Sequence, residues 1–260
     1  MAFKGDPLFK RMIQASLKPL GYKIVQAKAY DARQSAAPDA SRPFNKLFCI
    51  GFNKTGTTSV ERVLLDWGLR IPKQLEQEAI LCDVIPQGDF SALRAFCADF
   101  DAFQDLPFSQ SSTYVACDAL FPGSRFVLTT RHPERWVESY IRFYKREFGL
   151  GTVEDFSEEV FRDKALYLKR GYVHSQLQRL LVEHVAGQPV LRWDLAFDRD
   201  FLMALYTRRN SEIRAHFAQR PNALLEIELS TEPDTSRLMH FLGITGQQVN
   251  AFPTENARNA

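Results

Sequence analysis

The stretch Lys46 to Val60, KLFCIGFNKTGTTSV, constrains this chain more than any other, because a short apolar run ends there in a glycine-bracketed, hydroxyl-rich turn that opens into a helix. Leu47, Phe48, Cys49 and Ile50 form the continuous apolar run of a strand buried on both faces. From Ser59 onward, Val60, Val63, Leu64 and Trp67 recur at helical spacing, so the turn joins a strand to a helix. Gly51 and Gly56 allow close backbone approach, and the unpaired N–H groups and dipole of a helix start favour an anion. The turn reads as a phosphate cradle; the other reading of the same residues is a Gly/Thr-rich turn that caps an ordinary helix.

The usual triphosphate loop, G-x-x-x-x-G-K-[ST], carries its lysine directly after the second glycine. Here Gly51 and Gly56 keep that spacing, but Thr57 and Thr58 follow, and the lysine has moved inside the loop to Lys54. An ammonium at that point can sit beside the oxygen that bridges two anionic groups and neutralise a departing phosphate. A second candidate anion site follows the apolar run Arg125 to Thr130. Arg131 stands at the carboxyl end of that strand, Pro133 suits the first position of a new helix, and Ser139 shares a helix face with Trp136 and Tyr140. A guanidinium fork with a hydroxyl is suitable equipment for another phosphate.

The segment GFNKTGTTS resembles the 5′-phosphosulfate loop of the sulfotransferase family, and Arg131 with Ser139 after an apolar strand resembles that family's 3′-phosphate motif. The resemblance runs from Lys46 to about Asn256, with two specific motifs inside it. It implies a P-loop-containing three-layer α/β/α fold around a central, mainly parallel sheet. It also implies transfer of a sulfuryl group from 3′-phosphoadenosine 5′-phosphosulfate (PAPS) to a hydroxyl or amine, without a metal. The donor and its desulfated product, adenosine 3′,5′-bisphosphate (PAP), would be held by Lys54, Thr55, Gly56, Thr57, Thr58 and Ser59 together with Arg131 and Ser139. A magnesium-dependent kinase would be expected to keep the lysine in its usual place and use a strand-end acid for the metal. Two alternatives stay open: an ATP-dependent kinase of a small metabolite, and a nucleotide-binding module without catalysis.

The accepting group must lose a proton as it attacks, which calls for a positioned carboxylate or histidine. Asp105, in FQDLPF at the end of a short second strand, is the first candidate base and joins Lys54 as a catalytic residue; a turn cap before Leu106 and Pro107 is its other reading. Glu76 and Glu78 are second choices. The family's histidine and glutamate patterns do not map cleanly here, and His132, where the family usually has an aspartate, is assigned no chemistry. His174, His184, His216 and His240 lack metal-ligand spacing. Trp136 is read as a core anchor or an adenine contact, and only Arg258 offers a cation near the C-terminus, where the family's tail is basic and glycine-bearing.

Of 260 residues, 45% are hydrophobic and 25% charged, enough for one sizeable α/β domain, and a net charge of +2 is too balanced for a general nucleic-acid binder. The division expected is an amphipathic basic helix (Pro7 to Leu20) and a polar linker in residues 1–45, which offer a peripheral membrane contact, then the domain in residues 46–260 with a helical insertion around residues 149–187. Cys49, Cys82, Cys97 and Cys117 sit in apolar contexts and read as buried free thiols. With no signal peptide or membrane span in the sequence, a cytoplasmic protein is expected. Further helices are expected over Ser112 to Phe121, Val173 to Val185, Asp198 to Phe217 and Asp234 to Leu242, and one capped by Ser91. Short strands are expected at Pro189 to Trp193 and Ala223 to Leu229.

Overall fold

The computed structural model describes residues 42–149, 157–165 and 167–253. The expected basic helix, nearly all of the linker, the acidic start of the insertion and the tail with Arg258 lie outside the described residues. In chain order come β1 (Leu47–Cys49), α1 (Thr57–Asp66), α2 (Gln74–Ala79), α3 (Phe90–Ala98), β2 (Ala102–Gln104), α4 (Thr113–Leu120), β3 (Arg125–Thr129) and α5 (Pro133–Phe148). There follow a π-helical turn (Val160–Lys164), α6 (Tyr172–Leu180), β4 (Val182–Val185), β5 (Gln188–Leu191), α7 (Arg199–Phe217), β6 (Leu224–Ile227) and α8 (Ser236–Leu242).

The central sheet has the order β2-β1-β3-β6, and every pairing in it is parallel. Successive side chains leave a strand on opposite faces, so each apolar run feeds two cores. Phe48, Phe103, Phe126 and Leu128 turn to one face, where Leu93 and Cys97 of α3, Cys117 of α4 and Ile213 and Phe217 of α7 cover them. The Phe48 ring stacks between Phe103 at 5.0 Å and Phe126 at 5.4 Å, its neighbours in register. Leu47, Cys49, Ala102, Val127 and Ile227 turn the other way, against Val60, Val63 and Leu64 of α1 and Leu238 and Leu242 of α8. Helices therefore flank both faces of a parallel sheet, the architecture implied by the resemblance. A third apolar cluster, built on Trp136, Tyr140, Tyr144, Leu177 and Tyr206, joins α5, α6 and α7 beside the sheet.

Gly51 fixes where the chain may leave β1. A Cβ there would lie 2.1 Å from the Thr129 hydroxyl oxygen and 2.3 Å from the Thr129 carbonyl, so the turn is pressed against the end of β3. Gly51→Ala must push these two strand ends apart; a loss of about 3 kcal/mol is expected, read as a lower urea midpoint at unchanged slope.

The structure corrects three local expectations. Helix α6 ends at Leu180, and Val182 to Val185 belongs to an antiparallel hairpin with β5, whose turn places Ala186 and Gly187 at positive φ. The apolar spacing carried on past the helix end because Val182 and Val185 continue it, whereas β-branched residues followed by a two-residue turn favour a hairpin. The cap of α3 is Asp89, whose carboxylate accepts from the N–H groups of Ser91 and Ala92, one position outside the helix start at Phe90. Between Gly68 and Phe90 the chain is more regular than expected, since α2 passes directly into a π turn (Ile80–Val84) and a 3-10 turn (Ile85–Gln87). Cys49, Cys97 and Cys117 are buried free thiols and Cys82 is half-buried; burial pushes Cys49 and Cys97 up to about 12, which keeps them protonated and inert. No described helix is long and apolar enough to cross a membrane.

Candidate functional site

The carboxyl ends of β1, β2 and β3 lie side by side, so the residues just after them, Ile50 to Gly56, Asp105 and Arg131, are delivered to one edge of the sheet. The first segment turns at Lys54 (φ 71°) and Gly56 (φ 99°) before α1 begins at Thr57. The positive φ of Gly56 favours glycine, and the tip of the Leu229 side chain closes over it, 2.9 Å from where a Cβ would stand. The first turn of α1 bonds back through the N–H groups of Ser59 and Val60 to Gly56 O, while those of Gly56, Thr57 and Thr58 meet no backbone acceptor among the described residues. These three donors at the positive end of α1 form a ready anion cradle.

The loop residues divide by where they face. The Thr55 hydroxyl is buried, donating to Phe52 O at 2.5 Å and pairing with the Thr129 hydroxyl at 2.6 Å, so it ties the loop to β3 and does not face the cradle. Thr57 and Ser59 are buried, Thr58 is half-buried. Trp136 is a core anchor: its indole N–H donates to Asn53 O at 2.9 Å, and its ring stacks on Tyr206 at 4.5 Å.

Lys54 reaches over α5. Its ammonium lies 4.2 Å from the centre of the Phe143 ring, in the fields of Asp105, Arg146 and Arg131. Burial lowers its pKa most, Arg146 and Arg131 add to that, and Asp105 works against it. An added anion would relieve this crowding of cations. The backbone of Arg131 is fixed on both sides by the Tyr206 hydroxyl, which accepts from its N–H at 2.9 Å and donates to its carbonyl at 3.0 Å. Its guanidinium has no partner among the described residues. Ser139, half-buried, follows on the side of α5 that also carries Phe143 and Arg146.

The three candidate carboxylates separate cleanly. Glu76 is exposed and accepts from the Lys73 N–H at 2.6 Å as part of the capping of α2. Glu78 is fully buried but committed, accepting from the Lys169 N–H at 2.5 Å and from Gln74 at 3.2 Å. Asp105 stands at positive φ (62°) directly after β2, accepting from the Leu106 N–H at 3.0 Å. Burial raises its pKa to about 6, with the charge of Glu61 adding to the rise and Lys54 opposing it. A carboxylate tuned this close to neutrality beside a lysine can take up a proton during a reaction.

Two site residues escaped the sequence reading. Glu61 is 2% exposed in α1 and acts on Asp105 from the helix side; it lies on the Thr57, Val60, Leu64 row, which was the available signal. Arg209 is 3% exposed and donates to Ile50 O at 2.8 Å and Ser111 O at 3.3 Å, under the Phe52 ring at 4.8 Å. It holds the carbonyl where the loop leaves the sheet. It sits on the buried stripe of α7 with Leu202, Tyr206 and Ile213, and a charge in an apolar row was its signal. Among the described residues no group of three or more His, Cys, Asp and Glu is arranged to hold a metal ion. Compared with known families, residues 46–260 match the model described as a sulfotransferase domain. Comparison with curated proteins found no match.

Proposed function

The chain belongs to the sulfotransferase domain family, and from that premise we propose that it transfers the sulfuryl group of PAPS to a hydroxyl or amine of an acceptor. The 5′-phosphate of the donor would lie on the N–H groups of Gly56, Thr57 and Thr58, and the 3′-phosphate on Arg131 and Ser139. In the transfer, the bond from sulfur to the oxygen bridging it to the 5′-phosphate breaks and a bond from sulfur to the acceptor atom forms. The electron pair stays on the phosphate oxygen, where Lys54 offsets the growing charge, and the acceptor proton goes to Asp105. What carries this reading is the meeting of Lys54 and Asp105 at the loop: a cation for the leaving side and a near-neutral carboxylate for the attacking side. Buried free thiols suit a reducing compartment, and we place the protein in the cytoplasm on that ground.

Titration calorimetry without magnesium tests the donor. PAP should bind at least about tenfold more tightly than adenosine 5′-monophosphate, and Arg131→Ala should abolish that preference by removing a charge-assisted contact to the 3′-phosphate. Equal affinity for the two nucleotides, or tight binding of ATP that needs magnesium, would favour a kinase instead.

A further inference from the structure

Arg131 sits in a gap between two hydrogen-bond ladders. Thr130 before it still donates to the Ile227 carbonyl, and at the start of α5 the Trp136 N–H donates to the His132 carbonyl. The N–H and carbonyl of Arg131 itself meet no backbone partner among the described residues, and both go to one atom, the Tyr206 hydroxyl, at 2.9 and 3.0 Å. Tyr206 is buried on α7, distant in sequence, so this is a tertiary brace and not a local cap. Its ring stacks on Trp136 at 4.5 Å, and Phe52 lies against these two rings at 5.7 and 5.2 Å. The Trp136 indole in turn donates to Asn53 O at 2.9 Å. One aromatic block therefore holds the loop through Phe52 and Asn53 and the arginine through Tyr206.

We propose that Tyr206 is a positioning residue for the donor's 3′-phosphate, setting the reach of the Arg131 guanidinium relative to the loop that would take the 5′-phosphate. The inference rests on the PAPS reading and deepens it. The single proton of the Tyr206 hydroxyl goes to the Arg131 carbonyl, so the tyrosine acts through the arginine and not as a phosphate donor. The lever is the length of the arginine side chain. A backbone tilt of about 10° displaces its end by about 1 Å, enough to break a forked contact with phosphate. Removing the hydroxyl frees that backbone but leaves the ring on Trp136 and the bond to Asn53 in place. A nucleotide without a 3′-phosphate should therefore bind as before.

The test is calorimetry on the full chain with PAP and adenosine 5′-monophosphate, comparing wild type, Tyr206→Phe and Tyr144→Phe. Tyr144 is the matched control: it is buried in the same apolar cluster, and its hydroxyl bonds Gln176 at 2.8 Å and neither the loop nor Arg131. Tyr206→Phe should cut the preference for PAP over the monophosphate by about fivefold or more, with the monophosphate within about twofold of wild type. Tyr144→Phe should keep the preference. Any unfolding in either variant lowers the apparent affinity of both nucleotides by one factor, so their ratio is immune to a purely structural loss. An unchanged ratio in Tyr206→Phe, an equal loss of both nucleotides, or the same fall of the ratio in Tyr144→Phe would overturn the proposal. Absence of any preference in the wild-type protein would bring down the PAPS reading, and this role with it. If Tyr206→Phe does not fold, amide exchange in the wild-type protein decides. PAP should then slow exchange at the Arg131 N–H by about fivefold or more beyond the monophosphate, and equal slowing would overturn the role.

Discussion

Lys54→Ala is expected to lower turnover by about a hundredfold or more while the fold survives. The ammonium is the one cation placed both inside the loop and beside the candidate base, and removing a preorganised charge from the leaving side costs roughly 3 kcal/mol or more of transition-state stabilisation. Stability should change little. The residue already pays for its burial with a lowered pKa, and what it gains in return is a contact with the Phe143 ring worth about 1 kcal/mol. Single-turnover rates with PAPS, measured together with thermal melting, separate the two effects. Turnover within about threefold of wild type would remove Lys54 from the chemistry.

Asp105→Asn is expected to abolish turnover and to leave the protein as stable as before, or more so, at neutral pH. Asparagine accepts the positive φ of this position, so the backbone has no reason to move. The sign of the stability effect follows from the raised carboxyl pKa, about 6 against 3.8 for a free aspartate. Between those values the folded form binds a proton that the unfolded chain has released, so wild-type stability falls as pH rises through that window. The amide variant should not show that fall. Activity runs the other way: the carboxylate must be ionised to accept a proton, so the wild-type rate should climb as pH passes about 6. Burial is the main cause of this value; Lys54 from the loop opposes the rise and Glu61 from α1 adds to it. A flat rate profile between pH 5 and 8, with an active Asp105→Asn protein, would point to a different base.

Much of this arrangement was legible in the residues. The four sheet strands announced themselves as short apolar runs, and the GFNKTGTTS segment with Arg131 and Ser139 pointed to the family to which residues 46–260 belong. Asp105 could be singled out because a residue that follows a parallel strand is brought to the same edge as the loop. Side-chain direction was not legible. Thr55 sits in the most telling motif of the chain, yet its hydroxyl serves the loop's own closure, because a buried turn has to satisfy its carbonyls before it can offer donors to a ligand. Glu61 and Arg209 were hidden for the opposite reason: charged residues on helices read as solvated until the packing shows them inside. The end of α6 was misjudged because Val182 and Val185 satisfy a helical and an extended pattern equally well.

The sheet order carries a consequence for how the protein is made. Strand β6, the last strand among the described residues, pairs with β3, its Ile227 carbonyl accepts from Thr130, and Leu229 just beyond it packs against Gly56. A chain emerging from the ribosome therefore carries the loop early and the strand that braces it late. Synthesis must pass residue 229 before the pocket can close, and a message truncated upstream of residue 224 yields a protein with its anion-binding turn unsupported. Nascent chains stalled at that point should be cut readily by protease near the loop, and lengthening them past Leu229 should confer resistance.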